Sequence, residues 1–544
     1  MIEHKRDSTP VIDLTRERGT GAVRTQRPQY VDLLPPCNSA CPAGENIQAW
    51  LSLAQAGHWK AAWEQLIGDN PLPAVHGRVC YHPCESNCNR KELDGAVSIH
   101  AVERFLGEQA LRDGWQIPIT APPSGKRVLI VGAGPSGLSA GYHLKRLGHD
   151  VEIHDAGPLP GGMLHFGIPA YRLPRVVLIE EIERIENFGV KIVRNSKIED
   201  VLHAQAAGSF DAVFIAIGAH LAKHVDIPAR DAVKVYDAVS LLRDVGTGGR
   251  PMLGRRVVVY GGGNTAMDTA RTVKRLGATE ALIVYRRDRE HMPAHQFEAD
   301  EALTEGVKIQ WLRTIKEIDG SDLTVEVMEL DDSGRPQPTG KFETLQADAV
   351  VLALGQDAES GFLHKIPEIK FEPDGTVLVS PSMMTGRPGI FAGGDLVPSE
   401  RTVTIAVGHG KKAARNIDAW LRSAVYAPLP KHEIVHFDML NLPLFTDVLP
   451  HLQRERAPQA RTAAFEEIVA GLDENEARSE AKRCLSCGNC YECDNCLAAC
   501  PEDAIVKLGA DRGYDVDFER CTGCAVCVDQ CPCHAMEMVE ETVA

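Results

Sequence analysis

The sequence predicts an α/β protein: two parallel-sheet units form its centre, with a small α-helical domain before them and a small α+β domain after them. Two stretches, residues 126–155 and 255–287, each follow the pattern of a buried strand, a glycine-rich turn, a helix and a second strand. The 16 cysteines lie outside these stretches, five of them in residues 37–88 and eleven in residues 484–533. A chain of 544 residues is long enough for several such cores.

The composition argues against several classes of function. A formal net charge of -17 disfavours a nucleic acid or an anionic membrane as the partner, because both attract basic surfaces. Residues 1–21 lack the apolar core of a signal peptide, and no run approaches the roughly 18 apolar residues of a membrane span. We therefore expect a cytoplasmic protein without membrane insertion. Clustered cysteines in such a protein favour metal ligation over disulfides.

The predicted N-terminal domain, residues 1–120, combines helical periodicity with clustered cysteines. A helix is expected to begin near Glu45, directly after the first two cysteines. The last three cysteines follow at intervals of four, beside prolines, which favours iron–sulfur ligation. The alternative is a helix bundle with a few buried thiols. The five cysteines of this domain are Cys37, Cys41, Cys80, Cys84 and Cys88.

The first central unit, predicted at residues 121–221, carries a G-x-G-x-x-G turn after a short apolar strand. Its glycines permit a tight turn, close approach to a pyrophosphate and close helix–strand packing, so the unit is Rossmann-like and binds a dinucleotide. The second strand ends in an acid placed to accept hydrogen bonds from a ribose. A Gly/Pro-rich stretch follows, which suits close approach to a flat ligand or, alternatively, a mobile loop. The candidate binding residues are Gly132, Gly134, Gly137, Asp155, Gly162 and Met163.

The second Rossmann-like unit, predicted at residues 222–357, has the related turn G-x-G-x-x-A. Arginines stand where its second strand would otherwise end in an acid. Arginine pairs with a 2′-phosphate, so NADP is favoured over NAD; the alternative is a solvated pair of surface arginines. The candidate binding residues are Gly261, Gly263, Asn264, Thr265, Arg286 and Arg287.

Residues 358–425 are predicted to return to the first nucleotide domain through a strand, a double glycine and a long helix. Asp395 near a helix N-terminus suits a ribityl chain and a pyrophosphate, or alternatively caps the helix or a turn. Gly394 and Thr404 are the other candidate contacts of this segment. Residues 426–483 are predicted to be a linker.

The C-terminal domain, residues 484–544, contains C-x2-C-x2-C-x3-C-P twice. This spacing is typical of two-cluster bacterial ferredoxins, in which the fourth cysteine of each run binds the other cluster. Zinc binding is the alternative. One [4Fe–4S] set is Cys490, Cys493, Cys496 and Cys531, and the other is Cys521, Cys524, Cys527 and Cys500.

Several motifs together resemble the small (beta) subunit of glutamate synthase. They are GGMLHFGIP after the first unit, YRRDREHMPA after the second, and GIFAGGD, and the likeness covers residues 35–425. The same set occurs in related halves of dihydropyrimidine dehydrogenase and of bifurcating NADH-dependent ferredoxin:NADP oxidoreductases. The resemblance implies a nicotinamide nucleotide on the second unit, with the two rings meeting between the lobes. It implies FAD on Gly132, Gly134, Gly137, Asp155 and Asp395.

The chain departs from this family at its N-terminal clusters. The family's first cysteine pair, in an RCLxCG motif before Cys37, is missing, whereas RCLSCG occurs at residues 483–488. We hypothesise that this pair is relocated, and that one cluster is bound by Cys37, Cys88, Cys484 and Cys487. The family also supplies a carboxylate or carboxamide ligand about fifteen residues after the last cysteine. The second cluster would then use Cys41, Cys80, Cys84 and Glu103, unless Glu103 is an ordinary helical glutamate; Cys533 remains spare.

These features predict an NAD(P)H-dependent iron–sulfur flavoprotein oxidoreductase with two clusters at each end. We find no candidate side-chain nucleophile, and the direction of transfer, NADPH or NADH use and electron bifurcation stay open. The predicted partner is a ferredoxin or a multi-subunit redox enzyme, with 2-oxoacid:ferredoxin oxidoreductase first and a sulfite reductase-type enzyme second. The alternatives are a glutamate synthase small subunit that serves an amidotransferase subunit, and a non-catalytic subunit that carries clusters.

Overall fold

The computed structural model describes residues 24–118, 121–223, 227–230, 234–509 and 512–541. Residues 1–23, which include the stretch without a signal-peptide pattern, lie outside the described residues. Among the helices described, none has the length and apolar character needed to cross a membrane. The predicted α/β class is confirmed, because two five-stranded parallel sheets form the centre.

The N-terminal helical unit packs around two fully buried tryptophans, Trp50 and Trp63. Helices α4 and α6 approach closely at Gly107, which has no side chain. A Cβ atom at this position would lie 2.3 Å from the Ala74 nitrogen. This contact matters for the site, since α4 ends at Cys80 and α6 carries Glu103. The elements are strand β1 (Gln26–Tyr30) and helices α1 (Pro36–Ala40), α2 (Ile47–Ala56), α3 (Trp59–Ile67), α4 (Pro73–Val79), α5 (Pro83–Ser86) and α6 (Ile99–Arg112).

The first nucleotide lobe has the parallel strand order β17-β5-β2-β3-β4. Strands β2, β5 and β17 are almost wholly apolar, as expected for a sheet covered by helices on both faces, whereas β3 alternates polar and apolar residues. The elements are β2 (Arg127–Val131), α7 (Pro135–Arg146), β3 (Asp150–His154), α8 (Met163–Phe166), α9 (Arg175–Asn187), β4 (Lys191–Val193), α10 (Val201–Ala207), β5 (Ala212–Ile215), β17 (Ile390–Ala392) and α14 (Val403–Leu421).

The second lobe has the parallel order β11-β10-β9-β15-β8, and a four-stranded sheet, β14-β13-β12-β7, packs beside it. The chain passes between the two lobes twice, and each connection contains a short strand. These strands, β6 and β16, pair antiparallel with each other. The elements are β6 (Leu221–Ala222), β7 (Ala229–Arg230), β8 (Lys234–Asp237), α11 (Ala238–Gly246), β9 (Arg256–Tyr260), α12 (Asn264–Arg275), β10 (Glu280–Tyr285), α13 (Gln296–Thr304), β11 (Lys308–Trp311), β12 (Arg313–Asp319), β13 (Asp322–Leu330), β14 (Pro336–Gln346), β15 (Ala349–Leu352) and β16 (Gln356–Asp357).

The C-terminal domain takes one strand from the other end of the chain. Strand β1 pairs antiparallel with β20, with Gln26 opposite Glu540 and Tyr30 opposite Met536. Arg24 reinforces this pairing by donating to the carboxylate of Glu541 and to the backbone oxygen of Cys521. The remaining elements are α15 (Pro458–Arg461), α16 (Glu474–Ala481), α17 (Asn495–Ala499), β18 (Ile505–Lys507), β19 (Tyr514–Val516), α18 (Val526–Asp529) and β20 (Met536–Glu540).

The end of the predicted linker is anchored on the N-terminal helical unit. Helix α16 packs against α2 and α6, and Glu480, fully buried, accepts a hydrogen bond from the Ser98 nitrogen (2.7 Å). Arg483 is also buried and donates to the backbone oxygens of Gly95 and Ala96. Residues 480–487 therefore lie beside the N-terminal helical unit, and Cys484 and Cys487 line a small cavity with Cys37 and Cys88.

Candidate functional site

The first glycine-rich turn brings the N-terminus of α7 to a large cavity. Gly132 has φ +106°, and a Cβ atom on it would lie 2.4 Å from the Ala216 oxygen. Gly137 packs beneath the turn rather than on the cavity, since its Cβ would lie 1.9 Å from the Gly132 oxygen. The space in front of Gly134 is open, and the buried hydroxyl of Ser136 has no hydrogen-bond partner among the described residues. Free donors at a helix N-terminus suit a pyrophosphate.

Asp155 ends β3 at the edge of this cavity. Its carboxylate accepts hydrogen bonds from the Ala133 and Gly157 nitrogens, each at 2.7 Å. Each oxygen retains capacity for a further donor, so a ribose hydroxyl fits here. The Gly/Pro-rich stretch closes on the same turn: a Cβ atom on Gly162 would lie 3.0 Å from Gly134 Cα, and Met163 also lines the cavity.

Gly394 and Asp395 line the cavity from the second segment of the first lobe. Burial raises the pKa of the Asp395 carboxyl to about 6, and Arg401 opposes this shift. Thr404, the other predicted contact of this segment, is not among the described residues that line the cavity. Its buried hydroxyl donates instead to the Cys80 sulfur, at 3.1 Å.

The second unit contributes Asn264 and Thr265 to the cavity wall, whereas Gly261 and Gly263 shape the turn behind them. Gly261 has φ +147°, and its Cβ would lie 2.2 Å from the Ala353 oxygen. The Asn264 amide donates to the Tyr81 hydroxyl, at 2.7 Å. The Tyr81 ring also stacks on His295, with centroids 3.6 Å apart. Because Tyr81 directly follows Cys80, the N-terminal helical unit contacts the second lobe at this point.

The two arginines at the end of β10 lie outside the cavity wall. Arg286 is exposed, and none of the described carboxylates lies within ion-pair distance of it. Arg287 is partly buried, with its Nε atom lacking a hydrogen-bond partner among the described residues. This arrangement leaves Arg286 available to an anion at the edge of the second lobe.

The cavity has a volume of about 750 Å³ and joins three parts of the molecule. The first lobe contributes the glycine-rich turn and Asp395, the second contributes Asn264 and Asp268, and the helical unit contributes Tyr81. A volume of this size suits an extended dinucleotide with space for a second ring.

A buried ion network fastens the lobes beside this cavity. Arg172 of the first lobe pairs with Asp268 (2.8 Å) and Glu298 (2.5 Å) of the second. Burial, assisted by the nearby Asp268 carboxylate, raises the pKa of Glu298 to about 7, and Arg172 opposes this shift. Neither Arg172 nor Tyr81 was identified from the sequence, although the position of Tyr81 between two cluster cysteines was a readable signal.

Three N-terminal cysteines and Glu103 lie together at the end of α4. The thiols of Cys41, Cys80 and Cys84 lie close enough to interact electrostatically, and burial, assisted by Glu103, raises the pKa of the first two. Glu103 is buried and accepts a hydrogen bond from the Asn70 amide, at 2.7 Å. Burial, assisted by the nearby Glu45, raises the pKa of Glu103 well above its usual range.

A second set of four cysteines surrounds a separate small cavity. Cys37, Cys88, Cys484 and Cys487 all line it, although almost 400 residues separate the second from the third. Burial raises the pKa of Cys484 to about 11 and that of Cys487 to about 12. Buried thiols ionise readily only beside a cationic centre, so the donor set fits a metal cluster.

The ferredoxin repeats bring together the cysteines that the spacing predicted. Cys490 has Cys493, Cys496 and Cys531 as electrostatic neighbours. The other set, Cys500, Cys521, Cys524 and Cys527, lines one small cavity. Cys533 is 2% exposed, and its thiol donates to the Asn489 oxygen at 3.2 Å. The Tyr30 hydroxyl, on the strand added from the N-terminus, lies 3.3 Å from the Cys496 sulfur.

Comparison with known proteins agrees with this geometry. Residues 126–410 match the model of the pyridine nucleotide-disulphide oxidoreductase family. The chain belongs to that family. Residues 30–115 match domain II of dihydropyrimidine dehydrogenase, a 4Fe-4S cluster domain, and residues 489–535 match a 4Fe-4S dicluster domain. This family member has no cysteine between Cys88 and Cys484, so its central domain holds no redox-active disulfide.

Three relatives show which branch of the family the chain resembles. The NADP(+)-dependent formate dehydrogenase subunit beta of Moorella thermoacetica is 35% identical, over 87% of this chain and 73% of the relative. The NADPH-Fe(3+) oxidoreductase subunit beta of Geobacter sulfurreducens is 33% identical, over 83% and 75%. The glutamate synthase [NADPH] small chain of Azospirillum brasilense is 33% identical, over 73% and 88%. The predicted likeness to glutamate synthase small subunits is confirmed, and all three relatives carry NADP(+) or NADPH in their names.

Proposed function

We propose that this chain transfers electrons between NADPH, FAD and four [4Fe–4S] clusters, and exchanges them with a partner redox subunit. The observation that carries the proposal is the single cavity shared by both nucleotide lobes and Tyr81, next to Cys80. When bound, the nicotinamide and flavin supply two-electron hydride chemistry, and the clusters supply one-electron steps. The chain's own residues bind and orient these groups.

The binding roles follow from the contacts described above. The turn at Gly132–Gly137, Ser136 and Asp155 would hold the FAD pyrophosphate and ribose, while Asp395 faces the ribityl chain. The turn at Gly261–Thr265 would hold NADPH, with Arg286 on the 2′-phosphate. The buried thiols of the four sets would hold the clusters, with Glu103 as the single carboxylate ligand.

For the partner, two classes of redox enzyme are candidates. The sequence favoured a 2-oxoacid:ferredoxin oxidoreductase, reached directly or through a ferredoxin. Two relatives that align with 87% and 83% of this chain are named as beta subunits of a formate dehydrogenase and of an NADPH-Fe(3+) oxidoreductase. These names support a dehydrogenase catalytic subunit. Glutamate synthase is less favoured, because its small chain aligns with 73% of this chain.

Anaerobic reduction tests the proposed function. NADPH added to the purified holoprotein should bleach the flavin absorbance and then produce the electron paramagnetic resonance signals of reduced clusters. A flavin that keeps its absorbance would contradict the proposal and support the rival role of a non-catalytic cluster carrier. Affinity purification under the same conditions, followed by mass spectrometry, identifies the partner subunit. A glutamine-hydrolysing chain as the main partner would favour the glutamate synthase assignment.

A further inference from the structure

Thr404 connects the flavin side of the molecule to a cysteine of the N-terminal unit. Its Oγ1 atom donates a hydrogen bond to Cys80 Sγ, at 3.1 Å, across 324 residues of sequence. The Thr404 side chain is buried, and Cys80 lies at the end of α4, before the cavity residue Tyr81. The bond therefore lies at the boundary between the cofactor cavity and the N-terminal cysteines.

Local helix geometry leaves this hydroxyl free to reach the cysteine. Helix α14 begins at Val403, and Thr402 caps it by accepting a hydrogen bond from the Ile405 nitrogen at 3.2 Å. Threonine within a helix often bonds to the carbonyl four residues earlier. For Thr404 that residue is Glu400, which lies before the helix. Because a β-branched side chain has few rotamers, the hydroxyl is held toward Cys80.

The first turn of α14 thus serves two sites at once. Thr402, Val403 and Ala406 line the cofactor cavity, whereas Thr404 faces the cysteine. The only other described donor to the Cys80 sulfur is the His82 backbone nitrogen, at the longer distance of 3.4 Å. Thr404 is therefore the closest donor to this sulfur.

We infer that Thr404 is a positioning residue that raises the reduction potential of the N-terminal cluster nearest the flavin. The inference rests on the proposed function, in which Cys80 is a ligand of that cluster. One electron from the flavin adds one negative charge to the cluster and its sulfur ligands; no bond breaks, and the Thr404 hydroxyl keeps its proton. A hydrogen bond to a ligand sulfur stabilises the added charge, so it favours the reduced form.

Potentiometric titration of the holoprotein, followed by electron paramagnetic resonance, tests the inference. The relevant signal is the one that Cys84→Ala removes. In Thr404→Val, the ratio of reduced to oxidised cluster at a fixed potential should fall about tenfold, which equals about 59 mV for a one-electron couple. Thr404→Ala should give the same direction, and Thr404→Ser, which keeps the hydroxyl, should retain the wild-type potential.

Tyr30→Phe is the matched control, because the Tyr30 hydroxyl lies 3.3 Å from the Cys496 sulfur of the ferredoxin domain. It should shift a ferredoxin-domain signal and leave the N-terminal signal unchanged. An unshifted N-terminal potential in both Thr404→Val and Thr404→Ala would overturn the inference, as would an equal shift in Thr404→Ser. If the wild type has no signal that Cys84→Ala removes, the cluster assignment fails and the inference fails with it. If that signal is present but does not shift in Thr404→Val and Thr404→Ala, only the inference fails.

Discussion

Replacing Cys484 with alanine tests whether the RCLSCG motif completes an N-terminal cluster. Four buried thiols, two from each end of the chain, line one cavity. Four clusters correspond to about sixteen irons per chain, so the loss of one cluster should leave about twelve. The signals of the two ferredoxin clusters should remain. The measurement is iron and sulfide analysis of anaerobically purified protein, together with electron paramagnetic resonance.

A double variant makes this prediction sharper. If Cys37 and Cys484 share one cluster, Cys37→Ala combined with Cys484→Ala should also leave about twelve irons, because the same cluster is lost. Separate clusters would leave about eight. Cys533→Ala is the control, since Cys533 is a buried cysteine that belongs to no predicted set. About sixteen irons in Cys484→Ala, or about eight in the double variant, would refute the shared site.

Three other substitutions test the nucleotide lobes. Gly137→Ala places a methyl group 1.9 Å from a backbone oxygen, so FAD content and the thermal unfolding temperature should fall; exposed Gly361→Ala, with nothing within 4 Å, should change neither. Burial raises the pKa of Glu298 to about 7, from its ordinary value of 4.5. As the pH rises, this carboxyl therefore ionises in the unfolded chain before it ionises in the folded protein, and the folded state loses stability. The wild type should lose up to about 3 kcal/mol of unfolding free energy by pH 7, and an equal slope in Glu298→Gln would refute this origin. Arg286→Ala should raise the KM for NADPH about tenfold without changing the KM for NADH. The control Arg289→Ala, which removes a neighbouring arginine that is already ion-paired, should leave both KM values unchanged.

The nucleotide units and the cysteine sets could be predicted because their signals are local. A glycine between a strand and a helix indicates a position where a side chain would clash. At Gly137, for example, a Cβ atom would lie 1.9 Å from the Gly132 oxygen. The ferredoxin spacing likewise fixes which cysteines meet, since each run folds as a compact unit. The role of Cys484 and Cys487 was inferred instead from a motif that the family has before Cys37 and that this chain lacks there. The structure places both cysteines beside Cys37.

Features that depend on distant packing could not be predicted in this way. Strand β1 contains Pro28 and lacks a clear alternation, yet it completes the ferredoxin domain by pairing with β20. Thr404 was predicted as a cofactor contact, and its hydrogen bond to Cys80 joins residues that lie 324 positions apart in the sequence. The buried Arg172 network is similar, since its partners come from another lobe.

The two helices that face the flavin site also hold the N-terminal unit in place. In α14, Lys411 is buried and donates to the Ala43 oxygen (2.8 Å) and to Asp69 (2.6 Å). In α7, the Tyr142 hydroxyl donates to the Ile67 oxygen, at 2.8 Å. The separation between the flavin cavity and the N-terminal cysteines is thus fixed by rigid helices. The second lobe is held by the Arg172 ion pairs, by the hydrogen bond from Asn264 to Tyr81 and by the β6–β16 ladder, so packing from two other parts of the molecule sets its position over the cavity.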